Sequence, residues 1–409
     1  MAVAVVGATA ATVSEPAADR VAPAHTEAPT RGDRPVGAGS GGTGLGSGSA
    51  VGPVVSASTF HQDDGRPWID TSDRAAVVAA SEAALGAVTP PLRWTGDRGA
   101  CEPGTSSARH RRATMTRVNY YRAMAGVAAV ISEDVTLSSR AQEAAMMMSV
   151  EGELSHDPPS SYACFTDVGH QAAANSNLYL GRTGPAAVDG YIEDPGAKNI
   201  DVGHRTTLLH PPTRRMGVGD VAATEGGSSA NVLWVFDDRV FDESTAGGAP
   251  SATPMREPDR FVAWPPRGYV PGELVHPRWS FTRAGVDLSQ AEVRVFRPSA
   301  PAGEQELALT VVERTGAPGH VPLPTLVWEL EIDQEPAVDT DYLVVITGVR
   351  PQHGSTPVLA ATDGAGDDPD RAVADPPGAY AYTVRVLGRE PGRELTPAEA
   401  LARVTWAQG

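Results

Sequence analysis

Apolar residues in this chain recur at helical spacing as far as about residue 195, and at every second position in the runs beyond residue 261. One set of side chains cannot serve both repeats, so the chain must divide into a helix-rich part and a sheet part. Within the first part, Leu137, Ala141, Ala144 and Met148 mark one face of a helix over 135–150. The run TSDRAAVVAASEAALGAV at 71–88 opens on Thr, Ser and Asp caps and continues alanine-rich. Another helix covers 113–125, with Val118, Tyr121 and Ala125 on one face and Gly126 as its stop. A shorter one starts at Thr183, carries Pro185 in its first turn and ends before Pro195. MGVGDVAA and NVLWVFDD read as buried strands, so this region is expected to be α+β, an α-β-α sandwich.

In the second part VRVF, LALTVV, LVWELEI, YLVVITG and YAYTVRVL alternate or are β-branched, and Gly, Pro and Asp separate them. Strands of that length and spacing predict an all-β, immunoglobulin-like sandwich. Thr396-Pro397-Ala398-Glu399 then has the form of a capping box opening a short terminal helix. The expected organisation is a signal-like remnant and disordered Gly/Pro/Ala-rich tether over 1–66, then an α+β domain with a helical extension over 67–245. A linker over 246–260, the sandwich over 261–388 and a tail over 389–409 complete it. The tether's GAGSGGTGLGSGS tract scans as G-x-G-x-x-G, but neither a strand nor a helix flanks it, so it is no dinucleotide site. Its scarcity of large apolar residues cannot offset chain entropy.

Charge narrows the partners. A formal net charge of −17 repels phosphate backbones and anionic head groups, which disfavours nucleic acid and electrostatic membrane binding as functions. No apolar run approaches the ~20 residues that span a bilayer. The N-terminal MAVAVVGATAATVSEPAAD has a short apolar stretch and an A-x-A-like end but no positive n-region, and is read as the remnant of an export signal.

Six segments, in order over about Ala113 to Val240, carry a family resemblance: RVNYYRAMAGV, LSSRAQEAAMMMSVEGELSH, SNLYLG, AAVDGYIED, GHRTTLLHP and MGVG. Together they resemble the CAP superfamily (cysteine-rich secretory, antigen 5 and pathogenesis-related proteins) in a bacterial variant. WPPRGYVP and RWSF, within Trp264 to Leu387, resemble the β-sandwich appended to some bacterial CAP proteins. The resemblance implies a secreted or envelope-associated protein with a central cleft lined by two histidines and two acidic residues. Residue by residue, His156 and His204 match the histidines. The helix carboxylate matches Asp194, or Glu193 if the register slips by one. Ser176, beside Asn177, stands where the family has its second glutamate, and a serine is neither a carboxylate base nor a good Zn²⁺ ligand.

The resemblance implies that His156, His204 and Asp194 would make an incomplete Zn²⁺ shell with an open position, while no cofactor is required. The cleft so implied suits a non-catalytic binding protein for an extracellular ligand, a lipid or a cell-envelope polymer; the alternative is a metal-assisted hydrolase. Serine hydrolysis is disfavoured, since Ser155 merely adjoins His156 and no G-x-S-x-G elbow occurs. His210, before Pro211-Pro212, reads as a loop residue outside the cleft; His110 and His170 have no partner in the sequence. The only two cysteines, Cys101 and Cys164, lie in polar, turn-rich stretches and are expected to pair as a disulfide closing a loop of about 60 residues.

Overall fold

Short polar side chains start the helices by accepting from backbone N–H groups that the helix itself leaves unpaired. The computed structural model describes residues 60, 67–224, 227–236, 261–314, 323–351 and 378–404. Asp73 accepts from Ala75 and Ala76 and opens α1 (Arg74–Leu85). Ser107 does the same for α2 (Ala108–Met124), five residues earlier than apolar spacing alone indicates. After β1 (Ser132–Glu133), Asp134 caps α3 (Val135–Glu151), which Gly152 ends in the left-handed conformation. Then follow α4 (Asp167–Ala174), β2 (Ser176–Leu180), α5 (Gly184–Glu193), α6 (Gly203–Leu208), β3 (Arg215–Val221) and β4 (Ala230–Trp234).

The four strands form one sheet in the order β1-β3-β4-β2, with α3 and α4 on one face and α2, α5 and α6 on the other. This is the expected α-β-α layering. Two glycines set the distance between α3 and the sheet. A Cβ on Gly217 would lie 2.3 Å from the Leu137 carbonyl carbon, and one on Gly219 would lie 2.3 Å from that of Ala141. The helix backbone therefore rests directly on the strand. Met146, Met147 and Met148 are buried, as adaptable core rather than as a surface feature. A disulfide joins Cys101 and Cys164, with Cα atoms 5.2 Å apart across a sequence separation of 63.

The second part comprises β5 (Phe261–Trp264), β6 (Gly268–Val270), β7 (Arg278–Arg283), β8 (Val286–Asp287), β9 (Glu292–Phe296), β10 (Thr310–Glu313), β11 (Thr325–Glu329), β12 (Thr340–Thr347), β13 (Arg350–Pro351) and β14 (Tyr380–Val386). Two four-stranded sheets result, β10-β11-β7-β5 and β6-β14-β12-β9, with a small β8–β13 pair. Rings from the two sheets meet: Trp279 with Tyr342 at 6.3 Å, Phe261 with Tyr382 at 5.3 Å, Phe281 with Tyr380 at 5.0 Å. Pairing is antiparallel except where β6 joins β14 in parallel. The terminal helix α7 (Pro397–Arg403) has the expected capping box between Thr396 and Glu399. The linker at 246–260 and, Phe60 apart, the tether at 1–66 lie outside the described residues. Among the described residues no helix is long and apolar enough to cross a membrane.

The change of period suggests two cores with few contacts between them. Instead, one buried cluster runs from Val118, Tyr121 and Leu209 through Val262, Trp264 and Trp279. Trp264 meets Tyr121 edge to face at 5.4 Å and acts as the staple between the two parts. Ion pairing reinforces it, with Arg74 Nε 2.9 Å from Asp339 Oδ2. Apolar surface shared in this way couples the unfolding of both parts. Trp264→Ala should lower stability by about 3–5 kcal/mol and leave a single transition. Differential scanning calorimetry that resolves two independent transitions in the wild type would contradict the shared core.

Candidate functional site

Helix α5 stops at Asp194, which sits in the left-handed region at φ 52°. Asp is among the few non-glycine residues enriched there, because its short side chain can bond locally. Here that side chain, 0% exposed, binds forward in the sequence. Oδ1 accepts from His204 Nδ1 at 2.7 Å, while Oδ2 accepts from the backbone N–H groups of His204 and Arg205 at 3.0 and 3.2 Å. The carboxylate thus holds the first turn of α6 and one face of its histidine. The Tyr191 ring stacks on the His204 ring at 5.5 Å, and Asn177 Nδ2 donates to the His204 carbonyl at 3.0 Å.

With Nδ1–H given to Asp194, the neutral ring carries its lone pair on Nε2. Burial disfavours the His204 imidazolium, but the hydrogen bond and charge of Asp194, aided by Asp201, outweigh it and raise the pKa above the usual histidine value. His156 follows the end of α3 and is exposed, with Nδ1 2.9 Å from the Ala173 carbonyl oxygen in the last turn of α4. That contact likewise fixes its neutral tautomer. Ser176 is buried opposite Trp234, and its hydroxyl makes no hydrogen bond. As the strand neighbour of Asn177 it faces the other side of the sheet, away from the side where Asn177 reaches His204 and Thr207. Glu193 contributes only its carbonyl, to Arg205 Nη2 at 3.1 Å, so Asp194 is the residue that takes the histidine.

Among the described residues no group of three or more His, Cys, Asp or Glu side chains is placed to hold a metal ion. Asp194 is fully engaged and Ser176 is no substitute, so a complete Zn²⁺ donor set does not fit these residues.

Two arginines escaped the sequence reading. Arg205 is fully buried and binds the carbonyls of Ile192 and Glu193 at 2.7 and 3.1 Å and Ser280 Oγ at 3.1 Å. Burial lowers its pKa to about 10. Arg278, on β7, donates from Nη1 to the carbonyls of Asp194, Gly196 and Asn199 at 2.9, 3.1 and 2.8 Å. The signal was present: Arg205 directly follows His204, and Arg278 opens RWSF. What was missing was that these motifs meet in space.

Three further histidines differ in kind. His110 is buried, with Nδ1 2.9 Å from the Pro90 carbonyl oxygen and Nε2 3.4 Å from Asp220. His170 pairs with Asp157 at 2.8 Å in the open. His210 lies in the loop after α6 and is buried; desolvation and then the nearby Arg122 push its pKa down to about 4.

His204 and His210 therefore give opposite pH dependences. The His204 contribution is complete below its unfolded pKa of about 6.5 and is lost as pH rises through the higher folded value. The His210 contribution is complete above about 6.5 and is lost as pH falls towards 4, costing about 3 kcal/mol there. Urea unfolding from pH 4 to 9 should show both slopes. Asp194→Asn should reduce the alkaline slope, which His110 shares, and His210→Gln should reduce the acid one, which His276 shares. Unchanged slopes in both variants would refute these assignments.

Residues 115–237 match the CAP family, described as the cysteine-rich secretory protein family. No curated protein matches the chain significantly. The matched stretch runs from Met115 in α2 through β4 and contains His156, Ser176, Asp194 and His204. Residues 115–237 of this chain are therefore similar to a CAP domain.

Proposed function

We propose that this is an extracellular, non-catalytic binding protein whose CAP cleft presents His204, and with it His156, to a ligand. The observation that carries the reading is the buried Asp194 carboxylate, with both oxygens committed to His204 and Arg205. A carboxylate so engaged is neither a free base nor an available ligand; its effect is to pre-set one imidazole, with Nε2 as its working atom. Such a ring accepts a hydrogen bond when neutral and donates one when protonated, and the Asp194 carboxylate favours the protonated form. The ligand class is a lipid or cell-envelope polymer with a polar head group. The net charge of −17 selects against polyanions. The Cys101–Cys164 bridge supports an oxidising, extracellular setting. The two four-stranded sheets that follow are read as an immunoglobulin-like module.

The 2.7 Å Asp194–His204 bond also supports a second reading, a hydrolase in which His204 acts as general base. Its metal-assisted form has no third protein donor among the described residues. Native mass spectrometry of protein purified from its own secretions separates the two readings. Binding predicts a co-purified lipid or glycan that is retained by the wild type and reduced at least about tenfold in His204→Ala. No retained ligand, or equal retention by both proteins, would overturn it; turnover abolished in His204→Ala would establish the hydrolase.

A further inference from the structure

Residues 195–202, between α5 and α6, form neither helix nor strand, and residues 195–198 are exposed. Yet this loop separates the carboxylate from the histidine it must hold to within a hydrogen bond. Asp194 and Val202, at its two ends, both have positive φ, at 52° and 49°. For Val202 this conformation is strained, and such residues persist only where their surroundings over-determine them. The determining contacts come from outside the CAP domain. Arg278 gathers three loop carbonyls, and its guanidinium is aimed by Glu329 on the neighbouring strand β11, Nε to Oε1 at 2.8 Å. One turn of the pleat away on the same face of β7, Ser280 receives Arg205, whose other nitrogens hold the last carbonyls of α5.

We infer that the β-sheet part completes the CAP site, with Arg278 as the residue that positions His204 through the Asp194 turn. The inference rests on the reading that His204 is the recognising group. Removing the Arg278 guanidinium takes that donor from the Asp194 carbonyl and leaves the Gly196 and Asn199 carbonyls with only the loop amides of Asn199 and Val202. The turn at Asp194 then relaxes, and its carboxylate no longer meets Nδ1 and the two amides at once. His204 loses its fixed tautomer while the CAP sheet and its core are untouched. A contact that only stabilised the fold would lower the melting temperature without touching the ring.

The test uses the full chain with ¹⁵N-labelled histidine, observed by NMR at a pH where His204 is neutral. The wild type should show His204 as the Nδ1–H tautomer. Arg278→Met, still folded by circular dichroism, should move His204 towards the Nε2–H form that free imidazole side chains prefer. Arg278→Lys, whose ammonium keeps the charge and donors for the carbonyls but lacks the fork that also holds Glu329, should restore the wild-type signature in part. An unchanged His204 spectrum in folded Arg278→Met would overturn the inference and leave Arg278 a stabilising contact. If Arg278→Met does not fold, Glu329→Gln, which keeps the guanidinium but loosens its aim, should shift the tautomer partially; no shift would overturn the inference equally. Ligand retention is measured in parallel. A tautomer shift in Arg278→Met together with full retention in His204→Ala would uphold the positioning role and defeat the binding reading instead.

Discussion

A carboxylate sealed from water is tolerated only when its oxygens are fully hydrogen-bonded. Asp194 meets that condition with a histidine ring and two consecutive amides, all from the first turn of α6. The consequence is geometric. Helix α5 must end where it does, the loop after it must return to the same point, and His204 must face Tyr191. Arg205 and Arg278 extend the same requirement, because their guanidinium groups bind the carbonyls at the end of α5 and in the loop after it. One of these groups belongs to the β-sheet part, which makes the two parts of the chain one structural problem.

A second buried chain of polar groups supports the other side of the ring. The Tyr191 hydroxyl donates to Asn231 Oδ1 at 2.7 Å, Asn231 Nδ2 donates to Asp220 at 2.8 Å, and His110 Nε2 lies 3.4 Å from the same carboxylate. The Gly184 amide also donates to Asp220, tying the start of α5 to β3. Tyr191 is therefore fixed in both position and rotation, and the face it offers His204 is rigid. Rigidity of this kind lowers the entropy lost when a ligand docks.

Much of this was legible in the sequence, and for identifiable reasons. The spacing of Leu137, Ala141, Ala144 and Met148 gives α3 because that face packs on a sheet, and the alternation around Trp328 gives β11 because one side is core. The helical pattern marks α3 and α5, and Asp194 is the residue at which α5 stops. Short elements were not visible. Helices α4 and α6 have 8 and 6 residues, too few for a period to declare itself, and β5 is four buried residues without alternation. The open, four-residue cleft suggested by motif matching also looked different in space. Asp194 turns inward to serve His204, and Ser176 faces the opposite side of the sheet from Asn177. Facing and burial depend on how segments meet, which is the information one-dimensional spacing lacks. Arg278 shows this best: it lies 84 residues from the carbonyl of Asp194 that it binds, in a part of the chain with a different period.

The central claim is that the Asp194–His204 bond organises the site. A double-mutant cycle of Asp194→Asn and His204→Asn, read by urea unfolding at pH 6, measures that bond apart from everything else either residue does. The account predicts a coupling energy of about 1–3 kcal/mol, with the double variant hardly less stable than Asp194→Asn alone. Additive losses, with a coupling near zero, would show that the two side chains stabilise the protein independently and would contradict it.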